Sequence, residues 1–106
     1  MYKYPKEIQF GGHVCSIELT EGVSTRLGDP VDGDSHFHTS RIRIATGTMT
    51  GGRKSLSYLT ETLYHEFVEH INTAWVIGLT EDQVEQLAQG LLQVLNQLGV
   101  KPIEEV

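Results

Sequence analysis

The sequence predicts an α+β fold on one domain, and three observations carry that reading. Hydrophobic residues alternate with period two in the first half of the chain and recur every three or four residues in the second half. A glycine stop follows the first segment of the second half, and a capping box and a glycine–proline stop bracket the second. At 106 residues the chain is long enough for one modest core and too short for two ordinary domains.

The elements follow in order. Val14, Ser16, Glu18 and Thr20 alternate with Cys15, Ile17 and Leu19, the pattern of a half-buried strand. From Gly22 to Gly33, Gly28-Asp29-Pro30 and Asp32-Gly33-Asp34 have the chemistry of a loop. His36 to Ala45 is extended, with Ile42 and Ile44 on one face and Arg41 and Arg43 on the other, and a turn near Thr39-Ser40 would split it into a hairpin. Thr46 to Gly52 is a glycine- and threonine-rich connection.

Leu56, Leu59, Leu63, Phe67, Ile71 and Ala74 then mark an amphipathic helix from about Ser55 to Val76, stopped by Gly78. Thr80-Glu81-Asp82-Gln83 matches a capping box, in which Thr80 and Gln83 satisfy each other's backbone N–H groups. Behind it Val84, Leu87, Leu91, Val94, Leu95 and Leu98 form the apolar stripe of a second helix, ended by Gly99 and Pro102. The acidic tail Glu104-Glu105-Val106 is expected to be loose.

Composition narrows the function classes. No apolar run approaches a membrane span, and the first residues lack the apolar stretch of a signal peptide, so a cytoplasmic location without membrane partners is expected. A net charge of −6 argues against a nucleic-acid partner, since Arg41, Arg43, Arg53 and Lys54 form no basic stripe. The single cysteine, Cys15, has no partner for a disulfide and sits where a small buried thiol is ordinary. Gly47 to Ser55 lacks the register of a phosphate loop, and no G-x-S-x-G elbow occurs.

The chemistry concentrates in His65-Glu66-Phe67-Val68-Glu69-His70. A helix turns about 100° per residue, so residues four apart lie about 40° apart and residues five apart about 140°. His65 and Glu69 therefore project together, in the arrangement of the two ligands of H-E-x-x-H, and Glu66 occupies the place of the general base. Zinc accepts carboxylate oxygen as well as imidazole nitrogen, although an anionic ligand makes bound water less acidic. The alternative pair, His65 with His70, needs a π-bulge, and its H-E-x-x-x-H spacing resembles the zinc helix of the dipeptidyl peptidase III family.

A catalytic zinc takes a third protein ligand. Glu81 and Glu85 lie on one flank of the second helix's stripe and are preferred; His36 and His38, alternating on one strand face, are the other candidates. A plainer reading makes His65 and Glu69 an exposed i,i+4 pair, His70 a packing histidine and Glu66 solvated surface. Val68, Trp75 and Val76 widen the apolar surface and point to a helix covered on both faces. Four of the five histidines are His36, His38, His65 and His70.

Arg41-Ile42-Arg43-Ile44, then Glu61-Thr62-Leu63-Tyr64-His65-Glu66-Phe67-Val68-Glu69-His70-Ile71-Asn72, then Leu79 to Leu98 with Gly90-Leu91-Leu92-Gln93-Val94-Leu95 resemble small phage and prophage proteins with a zincin-like domain. The likeness covers about residues 33 to 98, and His70 departs from it, because a small residue usually follows the second glutamate. It implies a small antiparallel or mixed sheet packed on an active-site helix, with a C-terminal helix behind. It also implies metal ligation by His65 and Glu69 and a general-base role for Glu66, but it supplies no substrate; zinc is the expected metal, and a peptide or protein substrate belongs to the leading functional expectation. Two functions are expected in competition: a metal-dependent hydrolase of peptidase type, and a non-catalytic relative that binds metal or regulates a partner.

Overall fold

The computed structural model describes residues 1–24 and 30–106. The chain is α+β: β1 (Tyr2–Lys3), β2 (Glu7–Phe10), β3 (His13–Thr20), β4 (Val23–Ser24), β5 (Pro30–Val31), β6 (Gly33–His36) and β7 (Arg41–Ala45) precede α1 (Leu56–Ala74) and α2 (Glu81–Gln97), and β8 (Glu104–Glu105) closes it. The main sheet is mixed, in the order β2-β3-β7-β6, with β3 and β7 parallel and the other neighbours antiparallel. Among the described residues no helix is long and apolar enough to cross a membrane.

Alternation puts Cys15, Ile17, Ile42 and Ile44 on one face of the sheet, and Leu59 and Leu63 of α1 pack on them with Phe10 and Ile103. Arg43 lies on the opposite face and pairs with Asp34 across β6 and β7. The expected hairpin is present, but β6 begins at Gly33, inside the segment read as loop, and the chain turns over residues 37–40 with Ser40 at φ 49°. Gly33 is required where it stands: a Cβ there would lie 2.9 Å from the Arg43 carbonyl oxygen and 3.0 Å from Thr62 Cγ2. This close approach seats β6 directly against α1. Within the rest of that expected loop, β4 and β5 pair with each other, while Gly28 and Asp29 fall outside the described residues.

Helix α1 starts where Ser55 Oγ accepts the Tyr58 backbone N–H at 3.1 Å. Its buried surface is wider than one stripe and rotated from the expected one. Leu59, Leu63 and His70 are fully buried toward the sheet, Thr60, Tyr64 and Val68 are buried further round, and Leu56 and Ile71 are exposed. Both sides of α1 are covered, by the sheet and by α2, though Trp75 and Val76 stay outside.

Helix α2 opens on the capping box, with Gln83 N–H donating to Thr80 Oγ1 and Thr80 N–H to Gln83 Oε1. Only Val84 of its expected stripe is buried, together with Ala88. Leu87, Leu91, Val94 and Leu98 face outward, because α2 packs on α1 through the neighbouring line of positions 84 and 88.

The tail is not loose. Ile103 is 3 % exposed in the core, β8 pairs antiparallel with β1, and Glu105 meets the Arg53 guanidinium. One buried isoleucine and a two-residue ladder tie the two ends of the chain together.

Candidate metal centre

Three side chains from two helices converge beside the middle of α1. His65 and Glu69 project together from one face of an unbroken α-helix, and Glu81, the first residue of α2, reaches them. One potential ligand atom from each of the three lies within 4.8 Å of the others. This trio could hold a divalent cation, because an imidazole nitrogen and two carboxylate oxygens are within the donor range of zinc and leave a fourth position free.

The loop between the helices positions Glu81. Asn72 Oδ1 accepts the backbone N–H groups of Gly78 and Leu79, both at 2.9 Å, and Asn72 Nδ2 donates to the Leu79 carbonyl at 3.2 Å. Val76 at φ 51° and Gly78 at φ 88° make the reversal. The side chain of α1 one turn beyond the ligands thus sets where α2 begins.

Glu66 is 7 % exposed, and it lines a cleft of about 290 Å3 bounded by Asp32 and Gly33, by Tyr58, Thr62 and His65, and by Glu85 and Ala88. Burial, then the charges of Glu69, Asp34 and Glu81, push its carboxyl up to about 8. Glu69 rises to about 7, through burial and then the hydrogen bond and charge of Glu81. Carboxylates crowded in this way hold on to protons, and a cation among them would release those protons.

The remaining candidates separate. Glu85 is a cleft wall one turn beyond Glu81. His36 is exposed and bonded to Asp34 at 3.0 Å, and His38 lies in the turn after β6, so the two share no strand face and neither joins the trio. No π-bulge brings His70 round to His65. His70 is fully buried, with Nδ1 3.2 Å from Ser35 Oγ and Nε2 3.2 Å from His13 Nε2, against the rings of Phe10 and Phe37. Burial first, then His13, lowers its pKa and so favours the neutral ring.

Sequence reasoning missed three contributors. His13, left aside as the fifth histidine, is the partner of His70. Asn72 closed the run that carries the family resemblance, but no role was read for it. At one end of the cleft Tyr58 Oη donates to Asp32 Oδ2 at 2.7 Å, and Lys54 Nζ donates to Asp32 Oδ1 at 2.9 Å. Tyr58 was legible in principle, since seven residues before His65 is nearly two full turns on the same face.

No protein-family model matches the chain, and neither a curated protein nor a solved structure matches it.

Proposed function

We propose that this chain is a metal-dependent hydrolase of peptidase type, of the zincin-like phage and prophage kind that its helix motif resembles, acting in the cytoplasm. The observation that carries the reading is the meeting of His65, Glu69 and Glu81 next to a buried Glu66 that opens on a cleft. His65, Glu69 and Glu81 would hold the metal, with zinc the first choice for a set of one imidazole and two carboxylates. When bound, the ion supplies Lewis-acid polarisation of a carbonyl and acidification of water.

The chain's own residues do the rest. Glu66 takes the proton of the attacking water on its carboxylate and passes it to the leaving amine, which requires it to be ionised in the loaded protein. Ionisation follows when the positive charge of the ion offsets the burial and the neighbouring carboxylates that hold Glu66 protonated. Tyr58 and Asp32 form one rim of the cleft, and Ala88 and Glu85 form the other.

One observation favours a second reading, a metal-binding module that regulates or binds a partner. The cleft sits at the lower end of ligand-pocket volumes, which run from about 300 to 1,000 Å3.

Metal analysis of protein purified without added zinc, followed by thermal unfolding with zinc, manganese or nickel, tests the common premise. Bound metal and a raised Tm are expected, because a ligand of the native state alone stabilises it. No metal and no stabilisation would end both readings. Glu66→Gln separates them: it should keep the metal and abolish cleavage of a peptide library by the wild-type protein. A loaded wild type that cleaves nothing leaves the binding module as the function.

A further inference from the structure

The cleft beside the metal centre stays anionic even when the centre is loaded. Its described walls carry Asp32, Glu61, Glu66 and Glu85 and no lysine or arginine. Glu69 and Glu81 balance the two charges of a divalent ion, and Lys54 Nζ, 2.9 Å from Asp32 Oδ1, balances Asp32. Glu61 and Glu85 have no ion-pair partner among the described residues. Glu66 borders the open cleft at 7 % exposure, and among the described residues no donor reaches its carboxylate. A carboxyl buried without a donor costs free energy that a ligand's positive charge would recover.

The two helices place these groups on shared faces. Tyr58, Glu61, Thr62 and His65 stand at i, i+3, i+4 and i+7 along α1, and Glu85 follows Glu81 by about one turn of α2. They do not make a second metal site. Among the described residues, His65, Glu69 and Glu81 are the one group of three whose ligand atoms lie within 4.8 Å of one another. Carboxylates spread more widely around a cleft of about 290 Å3 suit a cation carried on a side chain, whose methylenes can lie along an apolar wall. The chain shows such a fit with its own Lys54, whose Nζ is 5.4 Å from the Tyr58 ring centroid and bonded to Asp32 at one end of the cleft.

We propose that the cleft selects basic peptides, seating a lysine or arginine side chain against Glu61 and Glu85 beside the metal ligands. This names the substrate class for the hydrolase reading and rests on it. Tyr58 and Ala88 offer the wall for the aliphatic stem. A recess lined by one sign of charge concentrates cations from solution, and a bound cation favours the ionised Glu66 that the reaction needs.

A chemical-shift titration of zinc-loaded Glu66→Gln protein is the test, the variant being chosen so that bound peptide is not cut. Two five-residue alanine peptides, acetylated and amidated, carry lysine or norleucine at the centre and differ by the ammonium alone. The lysine peptide should bind at least about tenfold more tightly, with shifts centred on residues 58–66 of α1 and 81–88 of α2. Glu61→Gln with Glu85→Gln, at a half-buried and an exposed position, should keep the zinc and reduce the preference to about twofold or less. Equal binding of the two peptides, no binding of either up to about 1 mM, shifts lying elsewhere, or an undiminished preference in the double variant would overturn the cation site.

The same comparison on wild-type protein in chelator keeps the two readings apart. Lysine should be preferred there as well, because Glu61 and Glu85 do not depend on the metal. A protein that takes up no zinc and still prefers lysine would end the metal reading and leave the cation site standing. One that takes up zinc and shows no preference would do the reverse.

Discussion

Glu66→Gln in metal-free protein tests the electrostatics of the centre without any assay of activity. The folded chain holds Glu66 protonated up to about 8, while the unfolded chain releases that proton near the ordinary 4.5. A carboxyl raised by folding contributes its full stability below the unfolded value and loses it as pH rises toward the folded one. By pH 7 the loss reaches about 3 kcal/mol, taking ~1.4 kcal/mol for each pH unit above 4.5. Glu69, raised to about 7, acts in the same direction.

Glutamine keeps the shape and removes the titration, so Glu66→Gln should be the more stable protein at pH 7 and should lose less stability between pH 5 and 8. Urea unfolding in the presence of a chelator reads the difference, and 3 kcal/mol corresponds to a midpoint shift of about 1–3 M at the m-values of small domains. Saturating zinc should reverse the wild-type trend, because the ion favours the ionised carboxylates. Wild-type stability that is flat or rises from pH 5 to 8 without metal, or a Glu66→Gln protein that is less stable at pH 7, would refute the reasoning.

Asn72→Ala should weaken zinc binding by about 10- to 100-fold in a competition titration while the spectrum of the helices is kept, since it frees the loop that delivers Glu81. His70→Ala should cost about 2–4 kcal/mol of unfolding free energy, in the range of large-to-small core changes, and leave zinc affinity unchanged. Tyr58→Phe should move the acid-unfolding midpoint to higher pH. Its hydroxyl, followed by Lys54, holds Asp32 below the usual carboxylate range, and stability from a lowered carboxylate is present above its unfolded pKa and lost as pH falls through the folded one.

Much of the fold was legible because it is local. The start of α1 near Ser55, the Thr80/Gln83 capping box and the alternation around Ile42 and Ile44 are set within a few residues by backbone hydrogen bonding and side-chain direction. The i,i+4 projection of His65 and Glu69 followed from helix geometry alone. Periodicity failed where tertiary partners chose among faces. The stripe of α2 has two adjacent apolar lines, and only the packing against α1 selected Val84 and Ala88 over Leu87 and Leu91. Tail residues 104–106 read as loose because two glutamates and a valine have no pattern, and their order comes from β1 at the other end of the chain and from Ile103, just before them, in the core.

By itself, then, the sequence determined that one helix face presents a histidine and a glutamate together with Glu66 to one side of them, since that depends on 3.6 residues per turn and nothing else. The tertiary structure decided what those groups meet. A turn clamped by Asn72 brings Glu81 to His65 and Glu69, β6 seated through Gly33 buries Glu66, and His13 draws His70 into the core. Distances between elements are set by packing across the chain, and no local spacing encodes them.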